Sequence, residues 1–124
     1  MTHHTIDYTG ITETYLSLWN ETDPAARLAL VEKSWAPQGR YTDPLADAAG
    51  PEAISATIGA VQAQFPGLVF TLVGEVDGHH AQARFRWGLG PAGEEPLVIG
   101  FDVVTLDGDG RLVDVLGFLD KVPA

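Results

Sequence analysis

Two rhythms of hydrophobic and polar positions divide the chain. In the first half apolar residues recur every three or four positions, the spacing of one helix face. Over 7–21 these are Ile11, Tyr15, Leu18 and Trp19, with Gly10 weakening the first turn. Asp23-Pro24 then supplies a cap and a first helical residue, and the pattern predicts a second helix to about Trp35 with Leu28, Val31 and Trp35 on its buried stripe. Ala36-Pro37-Gln38-Gly39 is expected to end it. Arg40-Tyr41-Thr42-Asp43 reads as a short strand and 45–50 as a loop. Pro51 opens a third helix carrying Ile54, Ile58, Val61 and Phe65, stopped by Pro66-Gly67.

In the second half the period becomes two, the signature of strands. Strands are predicted over 68–76, 80–89, 96–106 and 112–119, with hairpins at Asp77-Gly78 and at Asp107-Gly108-Asp109-Gly110. Ala83, Phe85, Trp87 and Leu89 alternate with Arg84 and Arg86, which sets the aromatics inward and the arginines outward. The strand over 96–106 is apolar on both faces yet carries Asp102 at its middle. A carboxylate there is costly unless it is paired, hydrogen-bonded or protonated. Asp102 is therefore the first candidate for a site. Gly100, one step away on the same face, leaves room for a ligand or a close backbone.

Helices followed by a meander of long antiparallel strands predict an α+β layer architecture, and if the sheet curls around the three helices its concave face becomes a pocket. Length fits one domain, 1–124. Ile99, Phe101 and Val103 make the opposite face of the central strand apolar too, and a homodimer through that outer face is the simplest cover.

Seven Lys and Arg against 17 Asp and Glu give a net charge of −10, which argues against nucleic acid and against an anionic membrane surface. An uncharged apolar small molecule remains open. With no cysteine there is neither a disulfide nor thiolate chemistry. The first residues lack a signal-peptide pattern, and a cytoplasmic location is expected. No metal and no cofactor are expected. His79 and His80 are adjacent, and adjacent strand residues face opposite ways, leaving one of them able to reach a pocket mouth. His3 and His4 are expected to fray. The Asp107–Gly110 turn lacks a calcium loop's further ligands, and Phe118 stands where the closing glutamate would fall.

Several motifs carry a family resemblance: Tyr41-Thr42-Asp43-Pro44, Gly50-Pro51-Glu52-Ala53-Ile54, Phe85-Arg86-Trp87, Gly100-Phe101-Asp102, Asp109-Gly110-Arg111-Leu112 and Gly117-Phe118-Leu119-Asp120. In this order they resemble the nuclear transport factor 2-like superfamily, and within it the SnoaL-like and ketosteroid-isomerase-like small enzymes. The resemblance implies a cone over nearly the whole chain, a curved antiparallel β-sheet wrapped around three N-terminal helices with a pocket opening at one end. It also implies Asp43 as a proton-shuttling base, with Tyr15 and a protonated Asp102 as donors to an enolate oxygen. A carboxylic acid kept neutral by apolar surroundings is how ketosteroid isomerase makes such a donor. Arg84 and Arg86 face outward, so the Asp-Arg-Asp constellation of the superfamily's epoxide hydrolases is not supplied.

The pocket is expected to be lined by Trp19, Trp35, Tyr41, Ile58 and Phe70, with Phe85, Trp87, Gly100, Val104 and Leu119 completing it. Two functions follow. One is a cofactor-free acid–base enzyme of isomerase, cyclase or dehydratase type, acting through an enolate on a small apolar carbonyl compound such as a polyketide- or steroid-like ring. The other is a non-catalytic ligand-binding or scaffold protein, in which Asp43 is turn chemistry and Asp102 a satisfied buried acid.

Overall fold

The computed structural model describes residues 6–123; His3 and His4 lie outside them. The elements run α1 (Tyr8–Asn20), α2 (Pro24–Ser34), β1 (Trp35–Asp43), β2 (Ala46–Ala49), α3 (Pro51–Gln64), β3 (Val69–His79), β4 (Gln82–Gly90), β5 (Val98–Leu106) and β6 (Leu112–Lys121). The architecture is α+β, three helices against one six-stranded sheet of order β2-β1-β6-β5-β4-β3. Every neighbouring pair is antiparallel except β1 with β6, which is parallel. That one pairing makes the sheet mixed rather than purely antiparallel.

Local chemistry explains the helix starts. Asp7 caps α1 by accepting the Gly10 N–H, and a side chain at Gly10 would collide with that carboxylate. Asp23 caps α2 through the Ala26 N–H, with Pro24 in the first helical position. Gly50, at φ 85°, turns the chain into α3 ahead of Pro51. The buried residues of α2 are Arg27 and Val31. Arg27 donates to Ser55 and to Gln62 Oε1, and the Gln62 amide in turn donates to the Trp19 and Glu21 carbonyls. This network ties the end of α1 to α3 and fixes the helix turn that carries Trp19.

Three expected boundaries move. Trp35 opens β1 instead of ending α2, with φ −102° and ψ 148°. Pro37 forces Ala36 toward extended backbone, so the helix ends before it. The predicted loop over 45–50 contains β2, a short edge strand paired with β1 from Arg40↔Ala49 to Asp43↔Ala46. The hairpin after β3 turns at His80 and Ala81 rather than at Asp77-Gly78. Gly78 lies under the Tyr8 ring, and a Cβ there would come within 2.4 Å of it. That glycine serves a close approach, and a bulge between Val73 and Asp77 carries β3 onward.

The core forms between the helices and one face of the sheet. On β5, Val98, Gly100, Asp102, Val104 and Leu106 are buried, while Ile99, Phe101 and Val103 are half-buried. The strand is thus closed on one face and only partly covered on the other.

Candidate active site

An apolar cavity of about 220 Å³ opens between α1, α3 and the sheet. Tyr15, Leu16 and Trp19 of α1 line it, as do Tyr41 and Asp43 of β1 and Val61, Gln64 and Phe65 at the end of α3. Phe70, Trp87, Leu89, Val98 and Leu119 form the sheet side, with Leu45, Val122 and Pro123 also contributing. Leu45 is 83% exposed, at the turn between β1 and β2.

Asp102 is 1% exposed and is absent from this lining. It sits behind two residues that do line the cavity. Tyr15 Oη approaches Asp102 Oδ2 at 3.1 Å, and Trp87 Nε1 donates to Asp102 Oδ1 at 3.1 Å. Burial pushes the Asp102 carboxyl up to about 7; the Trp87 and Tyr15 hydrogen bonds oppose this, and the nearby Asp43 charge adds to it. The expected pocket-facing acid is thus a buried acid, separated from the cavity by the Tyr15 and Trp87 side chains. Tyr15 is itself shifted well above the usual phenol range, first by burial and then by the Asp102 charge, so it remains a hydroxyl donor.

Gly100 has a different purpose from the expected one. Its missing side chain makes room for the Trp87 indole, since a Cβ would fall 2.1 Å from the ring. Trp35, Ile58, Phe85 and Val104 also do not line the cavity; each is at most 2% exposed and packs within the core. Among the expected lining residues, Trp19, Tyr41, Phe70, Trp87 and Leu119 are at the cavity. Those not anticipated, such as Leu16, Gln64 and Val122, come from a helix flank and from the last residues of the chain. Periodicity alone marks neither as concave.

Asp43 stands at the cavity and at a turn at once. Its Oδ1 accepts the Leu45 and Ala46 N–H groups at 2.8 Å each, and its Oδ2 accepts the Tyr41 hydroxyl at 2.5 Å. Burial, then the hydrogen bond to Asp43, raises Tyr41 above the usual phenol range. Register brings the two acids near each other. Asp102 lies opposite Gly117 on β6, while Thr42, next to Asp43, lies opposite Leu116. A Cβ on Gly117 would meet Asp102 Oδ1 at 3.0 Å and Asp43 Cβ at 3.3 Å. The missing side chain of Gly117 therefore leaves room for the Asp102 carboxyl on one side and the Asp43 Cβ on the other.

His79 and His80 are exposed at the far hairpin, their rings 5.9 Å apart, and neither lines the cavity. Arg84 and Arg86 face outward and pair with Asp77 and Asp120. Among the described residues no group of three or more His, Asp or Glu side chains is placed to hold a metal ion. None of the described helices is long and apolar enough to cross a membrane.

The SnoaL-like domain profile matches residues 12–115. Among solved structures, a provisionally named isomerase of the SnoaL-like family from Agrobacterium tumefaciens is 42% identical, with a TM-score of 0.86 over 91% of this chain and 97% of that one. A provisionally named SnoaL-like polyketide cyclase from Jannaschia is 20% identical, with a TM-score of 0.69 over 97% and 92% of the two chains. One from Sinorhizobium meliloti, also provisionally named a polyketide cyclase, is 21% identical, with a TM-score of 0.68 over 93% and 99%. The last two likenesses carry the fold alone. No protein of curated function matches. The profile spans most of the chain and the Agrobacterium relative nearly all of it, so this protein belongs to the SnoaL-like family.

Proposed function

We propose that the cavity takes a small, flat, apolar carbonyl compound, such as a polyketide- or steroid-like ring, and that the protein performs cofactor-free acid–base chemistry on it. Asp43 removes a proton from the carbon beside the carbonyl. Tyr15 donates to the oxygen of the resulting enolate. The observation that carries this reading is that Asp43 and Tyr15 line one apolar cavity while Asp102 stands directly behind Tyr15.

Asp102 then acts through Tyr15. In its protonated form it can donate to Tyr15 Oη, which turns the Tyr15 hydrogen toward the cavity. An enolate held this way is common to isomerisation, aldol-type cyclisation and dehydration, and the relatives named isomerase and cyclase fall within that range.

Deuterium exchange into the carbon beside the carbonyl, followed by NMR over a panel of cyclic aryl ketones, tests the reading. Asp43→Asn is expected to slow exchange by about a hundredfold or more while ketone affinity holds within about threefold. Equal loss of exchange and binding would sink the mechanism. A binding protein without turnover is the second reading, favoured by the fact that both Asp43 oxygens already have partners. It predicts ketone binding with no exchange even in the wild type.

A cytoplasmic location and a second copy of this chain as partner complete the proposal. On the outer sheet face Phe101 pairs with Phe118 and Val103 with Leu116, and Phe118 and Leu116 are 53% and 44% exposed. Covering this row removes apolar surface from water. Phe118→Glu is expected to shift the mass in sedimentation from dimer to monomer at micromolar concentration. A wild-type monomer at the same concentration would count against the pairing.

A further inference from the structure

Tyr41 and Asp43 are two apart on β1, so both side chains leave the same face of the strand, and both reach the cavity. The three hydrogen bonds to Asp43 divide its oxygens. Oδ1 is committed to the Leu45 and Ala46 amides of the turn into β2. Oδ2 is left to receive a substrate proton, and its one hydrogen bond among the described residues comes from the Tyr41 hydroxyl. No Lys or Arg among the described residues forms an ion pair with Asp43. The Tyr41 ring is held firmly enough to direct that bond, being 3% exposed and packed on Trp19 with centroids 5.3 Å apart.

We infer that Tyr41 is a positioning residue for Asp43, aiming Oδ2 at the substrate. This rests on Asp43 being the base. In the step, the electrons of the C–H bond pass into the enolate and the proton passes to Oδ2. Tyr41 stays a neutral phenol, donating to the remaining lone pair of Oδ2. The same proton returns from Oδ2 to carbon or is exchanged with water.

Deuterium exchange into 2-tetralone, measured for the wild type, Tyr41→Phe, Asp43→Asn and the double variant, tests the role. Tyr41→Phe keeps the ring and removes only the hydroxyl. It is expected to lower kcat about tenfold with KM within about twofold, and to lower nothing further in the Asp43→Asn background. An unchanged kcat, a rise confined to KM, or the same loss in both backgrounds would overturn the inference. If Asp43→Asn exchanges at the wild-type rate, the base assignment itself fails and takes the Tyr41 role with it. If Asp43→Asn is inactive and Tyr41→Phe is fully active, only the Tyr41 role fails. A second measurement needs no substrate. The Tyr41 hydroxyl proton should appear far downfield in the proton NMR spectrum, and be missing from both single variants. Its absence from the folded wild type removes the pairing on which the inference stands.

Discussion

At pH 8.5, Asp102→Asn is expected to need more urea to unfold than the wild type, and at pH 4 the difference should vanish or reverse. The cause is the position of Asp102, buried behind Tyr15 and Trp87 with its carboxyl raised to about 7. An acid whose native pKa lies above its unfolded value binds its proton more firmly when folded. Stability is then fullest below the unfolded value, falls as pH rises through the window from about 4 to about 7, and stays lost above it. For a shift of that size the fall is about 4 kcal/mol over the window. Asparagine has no proton to lose, so its curve should lack this component. It also fits the site, since its carbonyl can accept from Trp87 Nε1 and its amide can donate to Tyr15 Oη. Asp107 contributes with the opposite sign. The Arg111 main-chain N–H, followed by that of Asp109 and the Arg111 side chain, holds it below the usual carboxylate range, so its contribution is lost as pH falls. Taking the difference between wild type and variant removes that background. Parallel urea midpoints at the two pH values would mean that Asp102 does not carry the shift.

In the proposed mechanism this proton also acts on the reaction. The Tyr15 hydrogen is directed into the cavity when Asp102 donates to Tyr15 Oη, which requires the protonated acid. Above about 7 Asp102 ionises, and Tyr15 must turn its hydrogen back to it. In the proposed mechanism, deuterium exchange should therefore decline above neutral pH.

Asp102 was legible from sequence because a charge in an apolar strand violates a local rule, and such violations gather where a fold serves something besides stability. Its burial followed from the same pattern, whereas the Tyr15 hydroxyl beside it was implied only by the family resemblance. What the pattern could not place was the cavity wall. Trp35 and Phe85 look like lining because they are aromatic and inward, yet a second layer of side chains separates them from the cavity. Val122 and Gln64 look like surface, and become lining only because the cavity opens beside the end of α3 and the residues after β6. The parallel pairing of β1 with β6 was equally hidden, since it joins strands distant in the chain and leaves no mark on the alternation of either. It matters because it carries Asp43 to Gly117 and so toward Asp102.

Gly100→Ala is expected to be the most damaging small substitution in the sheet. Gly100 pairs with Trp87 across β4 and β5, and the indole occupies the space a methyl group would take, with Cε2 and Cζ2 both 2.1 Å from the added carbon. The methyl cannot move, because it is attached directly to the backbone of a central strand. The indole must yield, and its surroundings resist. Trp87 packs against Phe70 with ring centroids 5.4 Å apart and donates to Asp102 from Nε1. Overpacking of this kind costs about 1–3 kcal/mol, and losing a hydrogen bond to an acid adds about 1–3 more. For a chain of this length the melting temperature should fall by about 10 °C or more. The same displacement withdraws one of the two hydrogen bonds that oppose the raised titration of Asp102, so that acid should stay protonated to a higher pH. Gly108→Ala is the matched control, since nothing lies within 4 Å of its added carbon. Its effect should remain within about 0.5 kcal/mol. If the two variants melt together, Trp87 is not held against Gly100. Asp102 would then owe its environment to burial alone.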